Sequence, residues 1–333
     1  MRDDRTADPV QPPGVAKITA LLLALALLVI GSVLALAAYS DPVPAFPRAD
    51  RGHHFPRPAR VAVLVLENRS YEQVIGSPNA RYINRLARRY ALATRYYALT
   101  HPSLPNYIAL TSGSLHGFTK NCDGCSVAAP NLVHQLAASG YTWRAYFEKL
   151  ASNRRPVRTA EYNPHYNPFV YFNALRDVPS HRRRVVGFGA LNKDLRGRRL
   201  PDFSWIAPGV LHDGHDGSLR AADRYLTRLV PRVLRALGPG GVLYLTWDEG
   251  WDKGSHWDWR GASGRGGGRV ALIAAGPGAG RGTRVSVRAN HYALLRTIEA
   301  GFGLRALGSA GVSSTPLLRG LLSRVQGPGR RSR

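Results

Sequence analysis

The chain has 333 residues, 44% of them hydrophobic, enough to bury the core of one large domain. Its 46 basic and 21 acidic residues leave a formal net charge of +25, almost all of the basic side being arginine. Only two cysteines occur, Cys122 and Cys125, which excludes a four-thiolate zinc ribbon, and no nucleic-acid-binding motif accompanies the charge. The basicity therefore reads as a general surface property able to gather phosphate esters or anionic lipid head groups, not as a dedicated polyanion site.

Residues 1–17 are polar, with Arg2, Arg5 and Lys17. Residues 18–39 carry no charge and are rich in Leu, Ala, Val and Ile, long enough for a bilayer-spanning helix of about 20 residues. Positive charge precedes this segment and Asp41 follows it, so the positive-inside rule places 1–17 in the cytoplasm and the rest outside. The expectation is a single-pass signal anchor in the cell membrane with an extracytoplasmic domain. Ala35-Leu36-Ala37 also fits a small-x-small cleavage pattern, so a cleaved signal peptide and a secreted product are the alternative. Five prolines between residues 41 and 59 mark 40–59 as a linker, a folded domain follows over 60–326, and 327–333 reads as a basic disordered tail.

Val61 to Leu66 is a continuous apolar run with β-branched residues, suited to a strand buried on both faces, and Glu67-Asn68 stand at its end. Pro78 to Tyr90 reads as a helix and Ala91 to Tyr97 as one strand. Thr100-His101-Pro102-Ser103-Leu104-Pro105-Asn106-Tyr107 follows, with a helix opening at Tyr107. Proline is tolerated in a first helical turn, where its missing amide has no partner to lose, and free amides there favour an anion beside Ser103. Cys122-Asp123-Gly124-Cys125 suits a small local disulfide in an oxidising compartment.

A helix over 131–139 and a strand over 142–146 come next. Residues 150–200, which hold Asn163-Pro164-His165-Tyr166-Asn167-Pro168 and the cluster His181-Arg182-Arg183-Arg184, read as an insertion of loops that shapes the pocket. Phe203 to Ile206 is a strand, His212-Asp213-Gly214-His215-Asp216-Gly217 a polar turn, and Leu219 to Leu237 a helix bent at Pro231. Val242 to Trp247 is a second strongly apolar strand and again ends in acids, Asp248-Glu249. A glycine-rich loop over 261–268, a strand from Arg269 to Ala275, and His291 ahead of a helix from Tyr292 to Gly301 complete the pattern. Strands alternating with helices predict an α/β fold, a mostly parallel central sheet sandwiched by helices.

Each polar cluster alone is also what an ordinary turn or helix cap looks like. Together, five of them fall where the carboxyl ends of parallel strands share one edge, which is where such sheets bind ligands. Carboxylates, an amide oxygen and histidines are suitable ligands for a divalent metal, and a metal beside a serine activates its hydroxyl for attack on phosphorus.

Glu67-Asn68-Arg69-Ser70-Tyr71, the stretch Thr100 to Tyr107, Asp213-Gly214-His215-Asp216, Thr246-Trp247-Asp248-Glu249-Gly250 and Asn290-His291-Tyr292 resemble the bacterial phosphoesterase family. That family belongs to the alkaline phosphatase superfamily and includes secreted acid phosphatases and phosphatidylinositol 3-phosphatase-like enzymes, with phospholipases C as more distant relatives. The resemblance runs in order from about Arg60 to Leu304. It implies an alkaline phosphatase-like fold, a Ser103 nucleophile that becomes phosphorylated, and a divalent metal held by Glu67, Asn68, Ser103, Asp248 and Glu249. Asp213, His215, Asp216 and His291 resemble the cluster that holds a second metal or contacts the phosphate. Asn106 resembles the amide that steadies a phosphate oxygen, and His101 faces the phosphate. Relatives carry a histidine just before Asn-Pro-Phe; here Tyr166 stands there and His165 precedes it, leaving His165 as the candidate substrate contact.

The leading expectation is a metal-dependent phosphomonoesterase acting on small phosphate esters or phosphoinositides, tied to the membrane by its N-terminal helix. No specific nucleic-acid partner and no particular oligomeric state are implied. A phosphodiesterase or phospholipase C shares the metal cluster, but Gly250-Trp251-Asp252-Lys253-Gly254-Ser255-His256 replaces the histidine motif of the phospholipase branch. A non-catalytic, membrane-anchored binder of anionic ligands is the reading from another class.

Overall fold

The computed structural model describes residues 55–150, 158–250 and 266–323. The expected anchor at 18–39, most of the linker and the tail lie outside the described residues. Among the described residues no helix is long and apolar enough to cross a membrane.

The strands are β1 (Val61–Leu66), β2 (Ala91–Ala93), β3 (Tyr96–Tyr97), β4 (Trp143–Phe147), β5 (Val185–Gly187), β6 (Phe203–Ala207), β7 (Val242–Trp247), β8 (Leu272–Ala275), β9 (Arg284–Val285) and β10 (Ala289–Asn290). Eight of them form one sheet in the order β5-β4-β6-β1-β7-β8-β2-β9. Neighbours from β5 to β7 are parallel; β8 runs antiparallel to both β7 and β2, and β9 is parallel to β2. Helices cover the sheet: α1 (Tyr71–Val74), α2 (Arg81–Arg89), α3 (Ser103–Ser112), α4 (Leu132–Ala138), α5 (Asn173–Arg176), α6 (Pro179–Arg182), α7 (Phe188–Arg196), α8 (Leu219–Leu237) and α9 (His291–Phe302).

The continuous apolar runs behave as parallel-sheet strands should. Every residue of β1 and β7 is buried, and the two strands lie side by side in register from Val61 against Val242 to Leu66 against Trp247. That register sets the residues following the two strands, Glu67 and Asp248, next to each other. β6, on the other flank of β1, feeds the turn that carries Asp213. Three adjacent strands thus deliver three acidic clusters to one edge.

Several elements differ from the sequence reading. Residues 91–97 form two strands, because β3 leaves the main sheet to pair with β10 in a two-stranded sheet. The strand expected from Arg269 starts only at Leu272, since the backbone of 268–270 pairs instead with 96–98, the Ala98 amide donating to the Gly268 carbonyl (2.9 Å) and the Val270 amide to the Tyr96 carbonyl (3.0 Å). α3 begins four residues before Tyr107, at Ser103, with Pro105 inside its first turn. α8 is continuous through Pro231, which lies on its exposed side. The region read as a looped insertion instead contributes β5 to the sheet edge and α7 against it, with Phe169 and Phe172 fully buried in the core.

Candidate active site

α3 is unusual in its burial: every residue from Ser103 to Ser112 is buried, so the helix has no solvent face. It ends at Gly113, whose left-handed backbone (φ 76°) suits glycine, and whose missing side chain leaves room for the Leu307 carbonyl. Asn106 fixes the other end. Its carbonyl oxygen accepts from the amides of Leu99 (2.9 Å) and Thr100 (3.2 Å), and its amide donates to the carbonyls of Thr100 (2.7 Å) and Pro102 (3.3 Å). Both ends of that side chain are engaged by the turn that presents Ser103. The structure therefore places Asn106 in the frame of the turn that carries Ser103.

The Ser103 hydroxyl lies 3.1 Å from Glu67 Oε2, 3.3 Å from Glu249 Oε1 and 3.5 Å from Asn68 Oδ1. Asn68 has φ of 36°, a left-handed conformation that asparagine tolerates better than most residues. Its side-chain amide donates to Glu249 Oε1 (3.0 Å) and its backbone amide to Asp248 Oδ1 (3.3 Å). His101 pairs through Nδ1 with Glu249 Oε2 at 2.6 Å and keeps part of its ring exposed. Serine, asparagine, three acids and a histidine are thereby brought together from three separate stretches.

The remaining predicted residues surround this group at different depths. Asp213 is buried behind Glu67, its carbonyl accepting from the Glu67 amide (3.0 Å) and its Oδ1 from the His215 amide (2.7 Å). Gly214 makes that turn with φ of 99°. His215 pairs with Asp216 at 2.5 Å on the exposed rim. His291 is fully buried with both nitrogens engaged, Nε2 to the Asp248 carbonyl (2.6 Å) and Nδ1 to the Tyr96 hydroxyl (2.8 Å). His165 is held between Asp123 (3.0 Å) and Arg158 (3.1 Å), and His212 points to Glu148 (3.0 Å) and stacks on Tyr225. Neither shares a hydrogen-bonding partner with Ser103.

Three contributors escaped the sequence reading. Tyr107 donates to Glu67 Oε1 and stacks near Tyr166, Tyr96 orients His291, and Asn121 takes the amide of Leu104. Tyrosines inside apolar runs look like core, and only their tertiary partners reveal a second task.

Burial dominates the electrostatics. It pushes Glu67 well above the usual carboxylate range, with the charges of Asp248 and Asp213 adding to the effect and the Tyr107 hydroxyl opposing it. Asp248 is raised by burial and then by Glu249. Asp213 is raised to about 8, chiefly by burial, with the His215 amide opposing and Asp216 adding. Burial lowers His291 to about 4.

Among the described residues no three His, Cys, Asp or Glu side chains already stand at metal-ligand spacing. The donor set nevertheless fits a divalent cation. Three buried acids crowd one serine with a fourth, Asp213, behind Glu67, and Asp248 Oδ2 and Asp213 Oδ2 are buried with no hydrogen-bond partner. Buried acids are ordinarily paired, so under-satisfied oxygens in a like-charged cluster are what a hard cation would complete.

The fold recurs in the alkaline phosphatase superfamily. A superfamily member from Vibrio parahaemolyticus gives a TM-score of 0.55 over 80% of this chain and 71% of that one, at 11% identity. The phosphonate monoester hydrolase of Silicibacter pomeroyi gives 0.53 over 81% and 78%, at 12% identity. Those identities establish the fold alone. In sequence, the chain is 34% identical over 289 residues to the phosphatidylinositol-3-phosphatase of Mycobacterium tuberculosis, covering 86% of this chain and 90% of that protein. It is 28% identical to the phosphate-repressible acid phosphatase of Penicillium chrysogenum, over 75% of this chain but only 60% of the fungal one. The class is a phosphoric ester hydrolase built on an alkaline phosphatase-like α/β fold. The chain belongs to the Phosphoesterase family, whose model matches residues 77–305, from just beyond Glu67-Asn68 to beyond His291.

Proposed function

We propose that the protein is a metal-dependent phosphomonoesterase working through a phosphoserine on Ser103. The observation that carries this reading is the Ser103 hydroxyl at the first position of a buried helix, within 3.1–3.3 Å of Glu67 and Glu249. Glu67, Asn68, Asp248 and Glu249 would hold the cation. Bound there, a divalent ion would lower the serine pKa and offset the charge on the phosphoryl oxygens.

The chain's own groups do the rest. Ser103 Oγ forms a bond to phosphorus as the bond to the leaving oxygen breaks, and its proton is given up to solvent. His101, held by Glu249 on the solvent side, contacts the phosphate and the departing alcohol, which takes its proton from that side. Water then attacks phosphorus from the vacated side, releasing inorganic phosphate and restoring Ser103. Most of the acceleration is positioning and charge stabilisation.

Similarity to a phosphatidylinositol-3-phosphatase supports phosphoinositide head groups as the substrate class. The uncharged segment 18–39 supports a membrane anchor with the domain outside the cytoplasm, and the Cys122–Cys125 disulfide agrees with an oxidising compartment. The test is hydrolysis of p-nitrophenyl phosphate and its bis-ester by the full chain, with and without chelator. Chelator-sensitive release from the monoester is expected. Preference for the bis-ester would replace this reading with a phosphodiesterase, and activity on neither substrate by folded, cation-loaded protein would point to a binding protein.

A further inference from the structure

We propose that the disulfide-closed loop Cys122–Cys125 clamps the nucleophile helix and that Asn121, next to it, is a positioning residue for Ser103. The inference rests on the role of Ser103 above. Helix N-termini leave amides without intrahelical partners, and a side-chain oxygen that takes one fixes the first turn. α3 has no cap of its own: Pro102 at its N-cap offers no side-chain acceptor, and Pro105 in its first turn has no N–H. The acceptor comes instead from 17 residues further along the chain. Asn121 Oδ1 takes the amide of Leu104, the residue directly after the nucleophile, at 3.0 Å.

Asn121 sits in a stretch without helix or strand, so its placement depends on what holds that stretch. Cys122 is bridged to Cys125 and packs against the core. Asp123, between the two cysteines, meets His165 Nε2 at 3.0 Å, and Arg158 closes on His165 Nδ1 at 3.1 Å. Val127 then locks to the chain, its amide to the Tyr171 carbonyl (2.8 Å) and its carbonyl to the Asn173 amide (3.1 Å). Opening the disulfide returns torsional freedom to the residues joined to Asn121 and lowers the occupancy of the Leu104 cap. This gives His165 a place in the architecture as the anchor of the loop.

Full chain with excess divalent cation is assayed on p-nitrophenyl phosphate for kcat, KM and Tm, before and after complete reduction by a phosphine, which leaves two thiols and a phosphine oxide. Because a misplacement of 1 Å can cost on the order of 10²-fold, Asn121→Ala should lower kcat about tenfold with KM nearly unchanged. Asn121→Asp keeps the acceptor and should recover most of the rate. Reduction should bring the wild type down to the level of Asn121→Ala and leave that variant where it is. Wild-type kcat in Asn121→Ala, an unaffected wild type after full reduction, or an equal loss in both proteins would overturn the clamp. Turnover by Ser103→Ala would instead overturn the nucleophile assignment, so the two failures are distinguishable.

Discussion

Two buried acidic sites in this molecule have opposite chemistry. Asp223, on α8, is buried at the start of α2 and accepts from the amides of Tyr82 (3.0 Å) and Ile83 (2.8 Å), one on each oxygen. Ala80, at the N-cap of α2, supplies no oxygen, so the neighbouring helix does the capping. At the carboxyl edge of the sheet, Glu67, Asp213, Asp248 and Glu249 are as deeply buried, yet they crowd one another and leave oxygens without donors. A buried acid with a full set of partners is part of the scaffold. Several together with too few partners form a site that stability alone would not build, because each raises the cost of ionising the next.

This contrast makes opposite demands on matched substitutions. Asp248→Asn keeps the shape and removes one charge from the crowded edge. It should cut kcat by about 10²–10³-fold, as loss of a preorganised charge in an active site does, while Tm of the cation-free protein holds or rises. A fall in Tm with full activity would reverse the distinction. Asp223→Ala should behave the other way. Loss of two charge-assisted hydrogen bonds costs about 2–3 kcal/mol, or a fall in Tm of roughly 5–10 °C at this domain size, with kcat per folded molecule unchanged.

Glu299 sharpens the comparison from a third position. It lies on α9 with one oxygen accepting from the Leu307 amide (3.0 Å) and the other unpartnered, and burial raises it well above the usual range. A carboxyl raised in the folded state binds its proton more tightly there than when unfolded. Its contribution is therefore full below the unfolded value of 4.5 and declines as pH rises above it, towards the folded value. Glu299→Gln should raise Tm at pH 7 by a few degrees, on the order of 1 kcal/mol, and leave it unchanged near pH 4. Equal Tm differences at both pH values would remove the burial argument for this group.

What the sequence disclosed follows the same physics. β1 and β7 were legible because a strand buried on both faces is an unbroken apolar run, and the abrupt change to Glu67-Asn68 and Asp248-Glu249 marks its end. Their convergence could be inferred because parallel strands share an edge. The reversed β8 could not be, since nothing local in Leu272 to Ala275 encodes strand direction. The division of 91–97 between two sheets depends on β10, almost 200 residues later in the chain. The early start of α3 was hidden because Pro102 and Pro105 look like turn residues, and the acceptor that steadies this start is Asn121, outside the helix. His165 drew notice from its place beside Asn-Pro-Phe in the resemblance, yet it is bound to Asp123 away from Ser103.

The central claim is that Ser103 is the group phosphorylated during turnover. The most direct measurement is kcat on p-nitrophenyl phosphate for the cation-loaded full chain and its Ser103→Ala variant, with Tm recorded on both. Loss of turnover by at least about 10⁴-fold at unchanged Tm is the predicted result, in line with removal of a nucleophile elsewhere. Turnover within about tenfold of the wild type would contradict it and leave the buried acids as a site without a serine nucleophile.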